Sequence, residues 1–184
     1  MSAPVLPVFL ALWPSGEARG RLHELATPAR AGVGRAVAAS DLHLTLLYLG
    51  PLAAGERRAV VRALEGFRFP AFRLVLDRLG AFRDARALWA GPRIVPPPLA
   101  LLAALLAALD LPRGASGPAE SRPFRPHVTL VRGVRTGQDG DLDPPLLWPV
   151  RNLVLAARSP RRGGAYRLLA RWRLGAEAGS GGGA

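Results

Sequence analysis

Short apolar runs alternate along this chain with breaks rich in Gly and Pro, and the spacing within each run predicts its conformation. VFLALW (8–13) reads as a first strand, and PSGEARGRLHELA follows as a helix with Ser15 at its cap. AGVGRAVAAS reads as a loop into a second strand, HLTLLYLG (43–50), which Gly50 and Pro51 stop. GERRAVVRALEGF (55–67) carries the three-to-four spacing of a helix through Val60, Val61 and Leu64. FRLVLDRLGAF and RALWAG read as a hairpin. After PRIVPPP, the residues Leu99, Leu102, Leu105, Leu106 and Leu109 predict one helical face. PRGASGPAESRP is a loop, FRPHVTLVRG is extended, and NLVLAARS (152–159) and YRLLARWRL (166–174) form a last hairpin about the turn PRRGGA. Residues 1–174 are expected to form a single bilobal domain, and 175–184, GAEAGSGGGA, a disordered Gly-rich tail.

The two halves echo each other in order: helix, a strand that begins His-apolar-Thr, then a hairpin. LVL stands in the first arm at 74–76 and again at 153–155, while ALWA (87–90) and LLAR (168–171) stand in the second arms. The expected architecture is α+β, with two pseudo-symmetric lobes, each a mainly antiparallel sheet with helices outside, forming a central cleft.

Two of the only three histidines share one frame, His43-Leu44-Thr45-Leu46 and His127-Val128-Thr129-Leu130. A strand has a period of two, so each motif offers one imidazole and one hydroxyl to the same face. An imidazole titrates near pH 6.5. One histidine can therefore accept a proton at neutral pH while its partner, held protonated by a nearby phosphate, donates one. Phosphodiester transfer needs such a pair, together with donors for the nonbridging oxygens, which Thr45, Thr129 and an Arg can supply. His23, beside Glu24 in an amphipathic helix, is assigned no chemistry. Two histidines without a carboxylate cluster make a poor ligand set for zinc or a two-metal centre, and there is no P-loop or dinucleotide fingerprint.

Charge narrows the partner. There are 25 cationic residues against 13 acidic ones, a net charge of +12, which suits a polyanion. Every one of those cations is Arg, so neither a Schiff base nor a lysyl-nucleotide intermediate can form, whereas planar guanidinium forks remain for phosphate. The absence of Cys removes disulfides, thiolate nucleophiles and zinc-thiolate sites. No apolar run approaches the roughly 20 residues of a membrane span, and the N-terminus lacks a cationic secretory region, so a cytoplasmic protein is expected. Arg122 and Arg125 are candidates to line the cleft and follow a phosphodiester backbone.

The two His-x-Thr motifs resemble the signature of the 2H phosphoesterases. The flanks HLTLLYLG and RPFRPHVTLVR (122–132) are similar to those of the RNA 2',3'-cyclic phosphodiesterases first described as bacterial 2'-5' RNA ligases. The resemblance runs from about Val8 to Arg173 and implies hydrolysis of a terminal RNA 2',3'-cyclic phosphate to a 2'-phosphomonoester. It implies no metal and no other cofactor, and it brings in reversible 2'-5' ligation. By the same resemblance His43 is the general acid, His127 the general base, and Arg132 the phosphate contact. The implied partner is RNA with cyclic phosphate ends, tRNA fragments among them, and the expected state is a monomer without membrane association. One departure stands out: relatives commonly carry Arg at the start of the first strand, where this chain has Pro7. Alternation alone turns Arg132 away from His127 unless a bulge redirects it. It also puts Tyr48, a candidate RNA contact, on the face opposite His43, which favours a core residue over the alternative, a platform on which a base stacks. Non-catalytic RNA binding, or action on another cyclic or 2'-5' phosphodiester, are the alternatives.

Overall fold

A computed structural model describes residues 4–26, 34–115, 123–134, 139–159 and 165–175. The first apolar run forms β1, Leu6–Leu12, with Val8, Leu10 and Leu12 fully buried beneath the sheet and Ala11 buried above it. An uninterrupted apolar strand of this kind needs cover on both faces, and β1 has it. It pairs antiparallel with β3, Leu44–Leu52, and with β8, Asn152–Arg158. Strand β3 runs through Gly50 and Pro51 instead of stopping there. The remaining strands are β2 (Arg35–Ala36), β4 (Phe72–Phe82), β5 (Ala87–Gly91), β6 (Val128–Arg132), β7 (Gly140–Val150) and β9 (Tyr166–Arg173).

These nine strands make one sheet in the order β7-β4-β5-β6-β3-β1-β8-β9, with β2 attached to β6. Among the described residues every pairing between these strands is antiparallel. At the centre β3 and β6 share a single register pair, Leu44 with Val128. The sheet thus divides into two four-stranded halves, each contributing one His-x-Thr strand to the join. The class is α+β, as the sequence predicts. The halves are interleaved along the chain, however. The β4–β5 hairpin follows β3 in sequence but pairs with β6, and β8 pairs with β1 beside β3. Leu74–Leu76 in β4 and Leu153–Leu155 in β8 do occupy equivalent places, third from the join. β5 and β9 do not: β1 stands where β5 has its counterpart, and β9 lies at the outer edge. Two apolar strands of similar composition carry no mark of which neighbour each will pair with.

Helices α1 (Gly16–Leu25), α2 (Ala54–Ala63) and α3 (Pro97–Ala108) cover the face away from the histidines. Leu22, Val60, Leu64, Leu99, Leu102 and Leu106 join one core with Leu44, Leu46, Val128 and Leu130. Ser15 occupies the cap position of α1 but makes no side-chain capping bond. In α2 the Glu56 carboxylate accepts from the Ala53 N–H at 2.6 Å. α3 is apolar all round, and Leu105, expected on its buried face, is 41% exposed.

β7 has no counterpart in the sequence reading. Its run GDLDPPLLWPV holds three prolines, which argue against a central strand. It lies at the edge of the sheet, where missing N–H donors cost no ladder bonds, and its buried residues Leu142, Leu146, Trp148 and Val150 keep the alternation. Gly175, assigned to the tail, instead bridges Pro70, with its N–H donating to the Phe69 carbonyl at 2.9 Å. Arg122, the turn at 160–164 and the remainder of the tail from 176 lie outside the described residues. Among those described, no helix is long and apolar enough to cross a membrane.

Candidate active site

His43 immediately precedes β3 and His127 immediately precedes β6, so both stand at the central join. Each is oriented in the same way. The Nδ1–H of His43 donates to the Asp41 carbonyl at 2.6 Å, and that of His127 donates to the Arg125 carbonyl at 2.7 Å. With Nδ1 committed to a carbonyl two residues back, the neutral ring keeps its lone pair on Nε2. Both rings line one cleft of about 360 Å³, together with Thr45 and Thr129.

A matched pair of bulges decides what else reaches this cleft. Against β1, Thr45 faces Ala11 and Leu47 faces Leu10, leaving Leu46 as the extra residue. Against β5, Thr129 faces Trp89 and Val131 faces Leu88, leaving Leu130 as the extra residue. The two leucines are the fourth residues of their motifs. Each bulge inverts the alternation beyond it, so the residue three past each Thr returns to the histidine face. That residue is Tyr48 on one strand and Arg132 on the other, and both line the cleft. Arg132 therefore sits where the motif chemistry wants a cation. Tyr48, expected as core by simple alternation, is 41% exposed and opens onto the site.

Three further residues of the cleft come from outside the two His-x-Thr strands. Pro7, Arg158 and Tyr166 line it from β1, β8 and β9. In the antiparallel register Ala157 lies opposite Val8, which brings Arg158 alongside Pro7. A cation from β8 thus stands beside Pro7 at the rim of the cleft. The His43 ring is enclosed: Trp13 stacks on it at 4.9 Å and 12°, Phe9 lies 4.9 Å away, and Tyr166 meets it edge-on at 4.7 Å. The Trp13 indole N–H donates to the Ser40 carbonyl at 3.0 Å, and the Tyr166 backbone N–H donates to the Asp41 carboxylate at 3.1 Å. On the other side Phe82 meets His127 edge-on at 4.8 Å. Arg125 is exposed, and its side chain borders neighbouring cavities beside His127 rather than the cleft itself.

Burial lowers His43 from 6.5 to about 4, outweighing the carbonyl hydrogen bond that favours its protonated form; the positive Arg132 pushes it further down, as does His127 whenever it is protonated. His127 is lowered by the same burial and by Arg132. Both rings are therefore neutral at pH 7 in the free protein. An anion entering between them reverses the balance, since it supplies the counter-charge the site lacks. Among the described residues no group of three or more His, Cys, Asp or Glu side chains is placed to hold a metal ion.

Fold and cleft together define an α+β protein whose paired His-x-Thr strands meet in one basic site at the centre of an antiparallel sheet. The sequence profile of the 2'-5' RNA ligase superfamily matches residues 14–160. The RNA 2',3'-cyclic phosphodiesterase of Escherichia coli (strain K12) is 35% identical over 157 residues, 83% of this chain and 87% of that protein. A protein of the same name from Aquifex aeolicus (strain VF5) is 31% identical over 105 residues, 54% of this chain and 55% of that one. The crystal structure of E. coli LigT complexed with 3'-AMP matches with a TM-score of 0.76 at 31% identity, covering 92% of this chain and 98% of that one. The chain belongs to the 2'-5' RNA ligase superfamily, the 2H phosphoesterases.

Proposed function

We propose that this protein is an RNA 2',3'-cyclic phosphodiesterase that opens the cyclic phosphate by acid–base catalysis from its two histidines, without a metal ion. The observation that carries the reading is the matched orientation of the rings: both Nδ1 atoms are tied to carbonyls, and both rings line one cleft with two Thr hydroxyls and Arg132. Relatives 35% and 31% identical that bear this activity in their names support it.

In the proposed step His127 Nε2 takes a proton from water as the water oxygen bonds to phosphorus. The P–O3' bond breaks on the opposite side, and His43 Nε2–H gives its proton to O3', leaving a 2'-phosphomonoester. Thr45 and Thr129 donate to the nonbridging oxygens, and Arg132 neutralises their charge. The Trp13 face stacked on His43 favours its protonated form, since a cation over indole gains about 0.5–2 kcal/mol, and this supports His43 as the acid. A 5'-hydroxyl in place of water would give a 2'-5' linkage by the same proton transfers. RNA ends, those of tRNA fragments among them, are the substrates, acted on by the monomer.

Product analysis by phosphorus NMR tests the reading with cytidine 2',3'-cyclic phosphate as substrate. A 2'-phosphate is expected, formed at an unchanged rate in the presence of a chelator. A 3'-phosphate would show that O2' is the leaving group and reverse the placement of the sugar, and no turnover would leave an RNA-binding module.

A further inference from the structure

Beside His127, on the β4–β5 side of the sheet, lies a second cavity of about 410 Å³ that shares Phe82 and His127 with the catalytic cleft's surroundings. Trp89, directly opposite Gly80 in the β4–β5 ladder, lines it. A Cβ on Gly80 would come within 2.2 Å of the indole, and one on Gly91 within 3.1 Å. The two glycines thus clear the backbone so that the ring lies flat across both strands. Phe82 stacks beside it at 5.3 Å and 29°, and the Arg78 guanidinium lies 5.8 Å from its centroid. Phe124, 37% exposed, lines the cavity from the segment leading to His127. The Trp89 Nε1–H is buried without a partner, a state that buried donors seldom keep.

Of the three arginines bordering this cavity, Arg78 pairs with Asp139 and Arg93 with Asp141, whereas Arg125 has no carboxylate partner among the described residues. The charge left over suits one phosphodiester, not a polyphosphate. An indole and two phenyl rings in one lining, with one guanidinium that has no carboxylate partner among the described residues, are the means by which single-stranded RNA is held: the base stacks and the backbone is paired. The volume lies within the range of small-ligand sites.

We infer that this cavity is a second nucleoside subsite, with Trp89 as its stacking floor, which holds a nucleotide of RNA next to the one bearing the cyclic phosphate. The inference rests on the phosphodiesterase reading above. The occupant is the same chemical group from one of two sources, the preceding nucleotide of the same strand or the 5'-hydroxyl nucleoside of a second strand.

Trp89→Leu removes the floor, and Phe124→Ala removes the exposed ring and serves should the first variant fail to fold. Each is compared with the parent protein on cytidine 2',3'-cyclic phosphate, on a dinucleotide ending in a 2',3'-cyclic phosphate, and in transfer of the cytidylyl group to added adenosine. Turnover of the mononucleotide is expected to stay within twofold. The dinucleotide's advantage in kcat/KM falls roughly five- to a hundredfold if the occupant belongs to the same strand. Transfer to adenosine falls by that factor if it belongs to a second strand. Retention of both in a folded variant overturns the inference, as does a parallel loss on all three substrates, which would mean that Trp89 acts by positioning His127. Absence of mononucleotide turnover in the parent protein would overturn instead the catalytic reading on which the inference rests.

Discussion

Substrate binding should move the working pH of this protein, because the free cleft holds both histidines neutral. His43 falls from 6.5 to about 4, so at pH 7 about one molecule in a thousand carries its proton, and placing a proton there costs about 4 kcal/mol. A phosphodiester anion about 4 Å from the imidazolium returns about 4 kcal/mol at an effective dielectric constant near 20. The two figures match, so about half of the bound molecules carry the His43 proton at pH 7. The free-enzyme profile, kcat/KM against pH, is therefore expected to peak between about 4 and 6.5, the window set by His43 below and the lowered His127 above. Above that window it should drop about tenfold per pH unit, as the single shared proton is lost. The profile of kcat, which reports the complex, should extend about three pH units higher, the equivalent of about 4 kcal/mol. Initial rates with a nucleoside 2',3'-cyclic phosphate across pH 4–9, with substrate below and above KM, measure both. Coincident optima near pH 8 would refute the reasoning, because they would mean that no buried imidazole has to gain a proton from the bound anion.

Arg132→Gln removes a cation that depresses both histidines and faces the phosphate. kcat/KM is expected to fall by about 10- to 100-fold, the worth of a hydrogen bond to a charged group, while the alkaline limb of its pH profile moves up; a limb that stays fixed would place Arg132 away from the rings. Stability should fall as pH drops from 6.5 towards 4, since the unfolded chain protonates His43 at 6.5 and the folded chain resists until about 4. Urea midpoints should show a loss of about 3 kcal/mol across this window that is absent in His43→Gln, and equal slopes in the two proteins would contradict the burial argument. Gly50 adopts φ +83°, and a Cβ there would stand 3.0 Å from the Gly114 carbonyl oxygen. Gly50→Ala should therefore cost about 1–3 kcal/mol in urea unfolding, against little or no loss for an alanine placed at exposed Gly140.

The tetrapeptide repeat made the heart of the cleft legible, because residue type and period two are local properties of a strand. His43, Thr45, His127 and Thr129 come together as that pattern predicts. The β4–β5 hairpin and the three helices were legible for the same reason. Tyr48 was not: its face is set by a bulge at Leu46 that exists only in the register with β1. Arg132 needed the same kind of bulge, and the motif chemistry asked for one without locating it. β7 was hidden because its prolines forbid a central strand, while the edge position that permits them is a property of the finished sheet. Trp13, Arg158 and Tyr166 arrive from three different segments, and only the β1–β8–β9 pairing brings them to His43 and its cleft. What sequence reasoning could not supply is thus long-range pairing, and the substrate-facing rim of the cleft depends on it.

The central claim is that the two imidazoles act as one proton-transfer unit on a phosphate held between them. It is tested most directly by kcat/KM for His43→Ala, His127→Ala and the double variant on a nucleoside 2',3'-cyclic phosphate. Each single change is expected to lower activity by about 10²- to 10⁴-fold, and the double variant by little more than the worse single change, because a unit that has lost one member has lost its function. Single variants that keep most of their activity, or a double loss equal to the product of the two, would contradict it.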